Sequence, residues 1–216
     1  MYVPPHSRES RVPVLQEAVE RIRFGTLVTY SGGSLHATHL PMTIDPAAGP
    51  NGVLIGHIAR NNPQWQHADE RVAGIASFLG PHFYVTPTWY ATKAATGKVV
   101  PTWNYIAVEA RGNVRFFDDR ERLLEIVERL TDLQEAQREP QWAVADAPTS
   151  YIDAMLGAII GLEMPIEALE GAWKLGQHRS AADRNGVAQG IAATTDDAGV
   201  RELLPLLRPS PDQPAT

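Results

Sequence analysis

Hydrophobic and polar positions alternate with two different periods along this chain, and the changes of period divide it. Val12, Leu15, Val19 and Ile22 recur at helical spacing, which predicts a helix from about Arg11 to Arg23 with Ser10 as its cap. From Gly25 to about Phe117 the period shortens to that of strands. Strand-like runs cover Thr26 to Tyr30, Leu35 to Ile44, Val53 to Ala59, Val72 to Leu79, Phe83 to Tyr90 and Trp103 to Phe117. Ser31-Gly32-Gly33 and Gly49-Pro50-Asn51-Gly52 mark hairpin turns between the first three. Six closely spaced strands predict a small barrel.

Helical spacing returns at intervals. Asn61 or Asn62 can cap a short helix over Gln64 to Ala68, with Pro63 suited to its first turn, so a strand feeding a capped helix predicts a place for an anion. Asp118-Asp119-Arg120-Glu121 resembles a capping box ahead of an amphipathic helix built on Leu123, Leu124, Val127, Leu130 and Leu133. A helix near Ser150 to Ala158, strand-like segments over Ile160 to Ile166 and Glu167 to Trp173, and terminal helices over Ser180 to Ala193 and Asp196 to Leu207 complete the pattern. Pro209 to Pro214 reads as a frayed tail.

Charge and cysteine content narrow the functional classes. Lys plus Arg number 19 against 25 Asp plus Glu, a net charge of −6, so no global basic field attracts nucleic acid and DNA binding would need a local patch. The absence of Cys excludes disulfides and thiolate chemistry within the chain. Met1 to His6 lacks the cationic start and apolar run of a secretory leader, and no stretch approaches the ~18 apolar residues of a membrane span. The expectation is a soluble, cytoplasmic protein.

Four polar-aromatic islands interrupt the pattern: Gly56 to Trp65, Gly80 to Tyr84, Pro101 to Tyr105 and Lys174 to Arg179. Each carries hydrogen-bonding groups that a plain β core does not need, which suggests one site for a flat, phosphorylated ligand gathered from distant segments. On the strand from Val53, His57 and Arg60 point to opposite faces. Arg60 precedes the short helix and could clamp a phosphate with free backbone N–H groups; the alternative is an ordinary surface ion pair. Lys174, one of three lysines, is followed by Gln177 and Arg179, a set able to hold a phosphate or ribityl chain, the alternative being a surface turn. Thr102 and Asn104 share one strand face and Trp103 and Tyr105 the other. The polar face suits the heteroatoms of a flat ring, and equally a dimer seam or a buried hydrogen-bond pair. His36 and His39, three apart on a strand, project from opposite faces and cannot chelate a metal together, so a structural or hydrogen-bonding role is the better reading for the histidines.

These islands resemble those of the PaiB-type FMN-binding negative transcriptional regulators, from Met1-Tyr2-Val3-Pro4 to about Val187. Phe24-Gly25-Thr26-Leu27-Val28-Thr29, Ala37-Thr38-His39-Leu40-Pro41 and Pro87-Thr88-Trp89-Tyr90 fit the same pattern in order. The resemblance implies an α+β fold: an FMN-binding split β-barrel of the pyridoxamine-phosphate oxidase-like kind with flanking helices. Together with the periodicity of the terminal segments, the expectation is one domain over residues 1–193, with 194–216 as a terminal helix and disordered tail. The resemblance also implies a homodimer with FMN at the subunit interface. His39, His57, Ala59, Arg60 and Asn61 become candidate wall and phosphate-side contacts. Thr102 and Asn104 would lie near the flavin, and Lys174, Gln177 and Arg179 would close the site. Gly176 and His178 stand where the family pattern Lys-Leu-Ser-Gln-Asn-Arg has Ser and Asn, which alters two hydrogen-bonding positions.

The function implied is a flavin-dependent sensor and repressor. The alternatives are an FMN-dependent oxidoreductase, in which His39, His57 and Tyr105 could serve as donors near the flavin, and a haem-binding split-barrel protein.

Overall fold

The computed structural model describes residues 1–208. The tail over Pro209 to Pro214 lies outside the described residues. Contacts group the described residues into two compact units, one formed by Arg11–Phe78 and Glu109–Leu169, the other by Met1–Ser10, Leu79–Val108 and the described residues from Glu170 onward.

The first unit opens with helix α1 (Val12–Ile22), which buries Leu15 and Val19 completely. Its start is set by Pro13 in the first turn, and no side chain caps it; the expected Ser10 cap is not used, and Ser10 N instead donates to Glu9 Oε1 at 3.0 Å. α1 stops at Arg23, a non-glycine residue at φ 58°. That conformation is held by Arg23 Nε on Glu20 O at 2.6 Å and Nη1 on Leu133 O at 2.5 Å. Strands β2 (Phe24–Ser31) and β3 (Ser34–Asp45) form a hairpin closed by Ser31 opposite Ser34. Its two turn residues, Gly32 and Gly33, both have positive φ, which matches the strand twist as glycine alone does at no steric cost.

Strand β4 (Val53–Ala59) lies between β3 and β8 (Ile159–Pro165), with Met42 opposite Gly56 and Ile58 opposite Ile160. β7 (Arg115–Phe117) borders β8, and the first half of β5 (Gly74–Val85) pairs with β2 at Thr26 opposite Ser77, giving the order β5-β2-β3-β4-β8-β7. All these pairings are antiparallel. Leu27, Met42, Ile44, Leu54, Phe78 and Leu162 fill the interior with no exposed surface, each contributing about 1.5–3 kcal/mol through burial. Helix α2 (Gln64–His67) is a single turn. Helix α4 (Arg120–Glu135) starts at Asp119, whose Oδ1 accepts from Arg122 N at 3.0 Å, and buries Leu123, Ile126 and Leu130; helix α5 (Thr149–Leu156) follows it.

In the second unit β1 (Arg8–Glu9) pairs with β9 (Ala168–Lys174) through Arg8 opposite Ala172, and the strand order is β1-β9-β6-β5 with β6 spanning Thr102–Gly112. Helix α3 (Ala91–Thr96) ends at Gly97 with φ 67°. Helix α6 (Ala181–Thr194) is capped by Ser180, and α7 (Ala198–Arg201) by Asp197, before α8 (Leu204–Leu207). α6 meets the segment around Trp89 at two glycines. A Cβ on Gly186 would lie 2.0 Å from Trp89 O, and one on Gly190 2.3 Å from the indole ring.

Three expectations change. The strands expected over Val72 to Leu79 and Phe83 to Tyr90 are largely one strand, β5. Its buried positions shift from Gly74, Ala76 and Phe78 to Phe83 and Val85, a change of parity across Gly80-Pro81. After Val85 the chain turns through a short 3-10 segment and α3 rather than continuing extended to Tyr90. The strand expected from Trp103 to Phe117 is interrupted at Asn113-Val114, and the helix expected over Asp196 to Leu207 is two short turns, the second starting at Leu204 with Pro205 in its first turn.

Candidate functional site

In the second unit the third and fourth islands meet. Lys174, at the end of β9, donates from Nζ to Thr102 Oγ1 at the start of β6 at 2.9 Å, a contact across 72 positions of sequence. The same ammonium lies 5.6 Å from the centre of the Tyr105 ring. Asn104 is buried while Trp103, its neighbour on the opposite strand face, is 54% exposed, so the polar side chain points inward and the indole outward. Trp103 meets His82 and Tyr84 at ring separations of 6.0 and 6.1 Å. This brings the second island beside the third.

The turn after β9 is braced from within. Gly176 takes φ 78°, Gln177 Oε1 accepts from Leu175 N at 3.0 Å, and Gln177 Nε2 donates to Trp173 O. Gln177 therefore shapes the turn with both ends of its amide. Arg179 N donates to Gly176 O at 2.9 Å, and the guanidinium lies 4.1 Å over the Tyr90 ring. Burial pushes the Tyr90 hydroxyl above its ordinary pKa. The His178 ring lies 4.5 Å from that of His6. Burial first, and then His6, Arg179 and Lys174, hold His178 below the ordinary histidine range.

The first unit holds the other half of the expected residues. His39 on β3 shares a 2.8 Å hydrogen bond through Nδ1 with Thr26 Oγ1 and stacks on Phe24 with a ring separation of 6.4 Å. His57 on β4 lies opposite Gly161; its Nδ1 is buried with no hydrogen-bond partner, and burial lowers its pKa. Ala59, Arg60 and Asn61 leave β4 in sequence. Ala59 O accepts from Asn62 N at 2.9 Å, and Asn61 is exposed.

Arg60 is engaged on nearly every side. Nη1 and Nη2 each donate to Asp118 at 2.7 Å, Nε donates to Gly157 O at 2.6 Å, and Nη2 also reaches Ile159 O at 3.2 Å. The hydrogen bond to Asp118 is the main reason that the guanidinium pKa rises and the Asp118 carboxyl pKa falls. The ion-pair alternative is therefore the geometry found. The expected anion place at the following helix is likewise filled from within the chain: Arg60 N donates to Ala158 O, Asn62 N to Ala59 O and Gln64 N to Asn62 Oδ1, while α2 is too short for a useful dipole.

The donor chemistry of the second unit fits a phosphorylated flavin. Among the described residues, neither Lys174 nor Arg179 reaches a carboxylate, and each cation rests on a tyrosine ring. Exposed Trp103 and Tyr84 offer flat apolar surface. The sequence marks neither His6 nor Asp118 as a site residue. Asp118 sits in an acidic pair that reads as a helix start, and only the fold brings it to Arg60.

Comparison with known proteins agrees with this chemistry. An uncharacterized protein of Emericella nidulans, AN0679, is 33% identical over 92% of this chain and 93% of its own length. Protease synthase and sporulation protein PAI 2 of Bacillus subtilis is 28% identical over 85% of both chains. The solved FAD and heme binding protein from Mycobacterium smegmatis superposes with a TM-score of 0.56 at 13% identity, covering 79% of this chain and 74% of that one. This last likeness concerns the fold alone, a mixed α+β split barrel with a large antiparallel sheet. The family model described as "Putative FMN-binding domain" matches residues 1–168, so the chain belongs to that family, with FMN as its cofactor.

Proposed function

We propose that this protein is a regulator of the PaiB type, a homodimer that holds FMN at its subunit interface and changes its repressing activity with the state of the flavin. The observation that carries the reading is the similarity to PAI 2 over 85% of both chains, which extends well beyond a cofactor motif. Bound FMN supplies reversible one- and two-electron chemistry, and the protein's part is to hold the phosphate and present the ring. Lys174, Thr102 and Arg179 have the donors for the first task, and Trp103 and Tyr84 the surface for the second.

Direct contact with DNA has weak electrostatic support. The net charge is −6, and the arginines of α4 are answered by acids: Arg120 by Asp153, Arg122 by Glu163 and Arg129 by Glu20. Repression through a partner protein is the version of the regulator that these charges favour. Among the described residues no helix is long and apolar enough to cross a membrane.

The experiment is a comparison of apo and FMN-loaded protein in three assays: light scattering for mass, retention of promoter-length DNA across a salt series, and NADH or NADPH oxidation. A dimer that retains DNA with a steep salt dependence supports the regulator with direct contact. A dimer with neither DNA retention nor turnover supports the partner-mediated form. Steady turnover of a nicotinamide cofactor would replace the regulator with an FMN-dependent oxidoreductase, and a Soret band in the purified protein would point to haem.

A further inference from the structure

We propose that His6, Lys174, His178 and Arg179 form a seat for a phosphate monoester dianion, and that this seat, rather than Arg60, receives the phosphate of the flavin. The proposal rests on FMN being the ligand, and it adds His178, which stands where the family pattern has Asn, together with the neighbouring His6.

Charge accounting within each unit leads to it. In the first unit Arg60, Arg120, Arg122 and Arg129 are each met by a carboxylate. In the second unit Lys174 and Arg179 lie five positions apart with aromatic faces and a hydroxyl for neighbours. The two histidine rings, 4.5 Å apart, add to the same cluster, since the groups that depress His178 electrostatically are His6, Arg179 and Lys174. Cations gathered without counter-charge repel one another, and that cost is offset when a dianion enters among them.

The acids on the surrounding elements are otherwise occupied. Glu170 on β9 accepts from the Met1 ammonium at 3.2 Å, and Glu9 on β1 accepts from Ser10 N at 3.0 Å. Asp183 on α6 accepts from Thr92 N at 2.9 Å and Thr92 Oγ1 at 2.8 Å; it is close enough to Tyr90 to push that hydroxyl up. Arg8, on β1 opposite Ala172, is a further cation of this unit.

His178 gives the seat a property that asparagine at this position would lack. An asparagine donates a neutral hydrogen bond at any pH, whereas an imidazole can add a charge near neutrality. Burial and the cationic neighbours hold the His178 pKa below its ordinary value. A bound dianion reverses the local potential and favours uptake of a proton by His178. Because binding then raises the histidine pKa, affinity grows as pH falls from about 8 toward 6.5, and it stops growing where the phosphate itself takes a proton near pH 6.

The test measures FMN and riboflavin affinity by fluorescence quenching, in phosphate-free buffer at about pH 8 and about pH 6.5, for the full chain and for His178→Asn and His6→Gln. The preference for FMN over riboflavin is expected to rise about threefold to tenfold at the lower pH, and His178→Asn is expected to flatten that rise while leaving riboflavin affinity in place. A preference independent of pH, or one that rises equally in His178→Asn, overturns the seat and leaves FMN binding intact. If neither flavin binds, the FMN reading fails, and inorganic phosphate followed through the His6 and His178 ring proton resonances decides the seat. Saturable movement of both resonances, lost in Lys174→Ala, upholds it as an anion site; resonances that stay still overturn it.

Discussion

Arg60 and Lys174 are both cations at the edge of a strand in a polar island, and the two units treat them in opposite ways. Arg60 is bound twice by Asp118 and again by two backbone carbonyls, so it joins β4 to the segment ahead of α4 and the turn after α5. Lys174 has one hydroxyl and a tyrosine ring. A cation whose donors are already satisfied contributes to the scaffold, while one left without a counter-charge keeps its donors for a ligand. Residue type and position in a motif do not separate the two cases.

The strongest way to probe this contrast is to remove an acid that answers several groups at once. Glu20 Oε1 accepts from Thr43 Oγ1 at 2.7 Å, from Ile44 N at 3.0 Å and from Arg129 at 3.4 Å. Glu20→Ala leaves the fully buried Thr43 hydroxyl and the Ile44 amide unanswered and is expected to cost about 2–3 kcal/mol in urea unfolding. A loss below half a kilocalorie would show that the first unit does not depend on its paired charges.

Next comes the direct exchange of roles. Lys174→Ala is expected to weaken FMN relative to riboflavin on the order of tenfold, with little change in melting temperature. Arg60→Ala is expected to lower the melting temperature, because Asp118 and two carbonyls lose their donor, and to leave the preference for phosphate unchanged. The reverse pattern would erase the distinction between the cations.

A smaller effect belongs to His57. Its folded pKa lies below the ordinary value of about 6.5, so the unfolded chain binds a proton that the folded chain does not. Stability should therefore fall as pH drops through 6.5, and His57→Phe should flatten that slope by removing the buried, unpartnered Nδ1. A slope unchanged in the variant would assign the pH dependence to other groups. The smallest effect is at the surface. Arg71 pulls Asp69 down to about 2, yet the pair is open to solvent, and Asp69→Asn should leave the melting temperature unmoved within error.

Much of the scaffold could be read along the chain because it depends on neighbours in sequence. β4 occupies the residues expected of it, Val53–Ala59, and Ser180 caps α6 where the periodicity places a helix start. The errors fall where a local signal has two meanings. Gly80-Pro81 reads as a break between strands, but β5 runs through it with a change of buried face. The cationic sites were half legible for the same reason. Lys174, Gln177 and Arg179 stand out as a group, whereas the pairing of Arg60 with Asp118 and of His178 with His6 depends on segments that meet only after folding.

The contact of Trp89 with α6 restricts how this protein can drift over generations. Gly190 faces the indole ring, so a larger residue at position 190 becomes admissible once position 89 carries a smaller side chain, and the two should vary as a pair. Gly186 faces the backbone oxygen of residue 89, which every amino acid possesses. No replacement of Trp89 relieves that contact, so position 186 is fixed by the path of the chain, while position 190 is fixed only by its present neighbour.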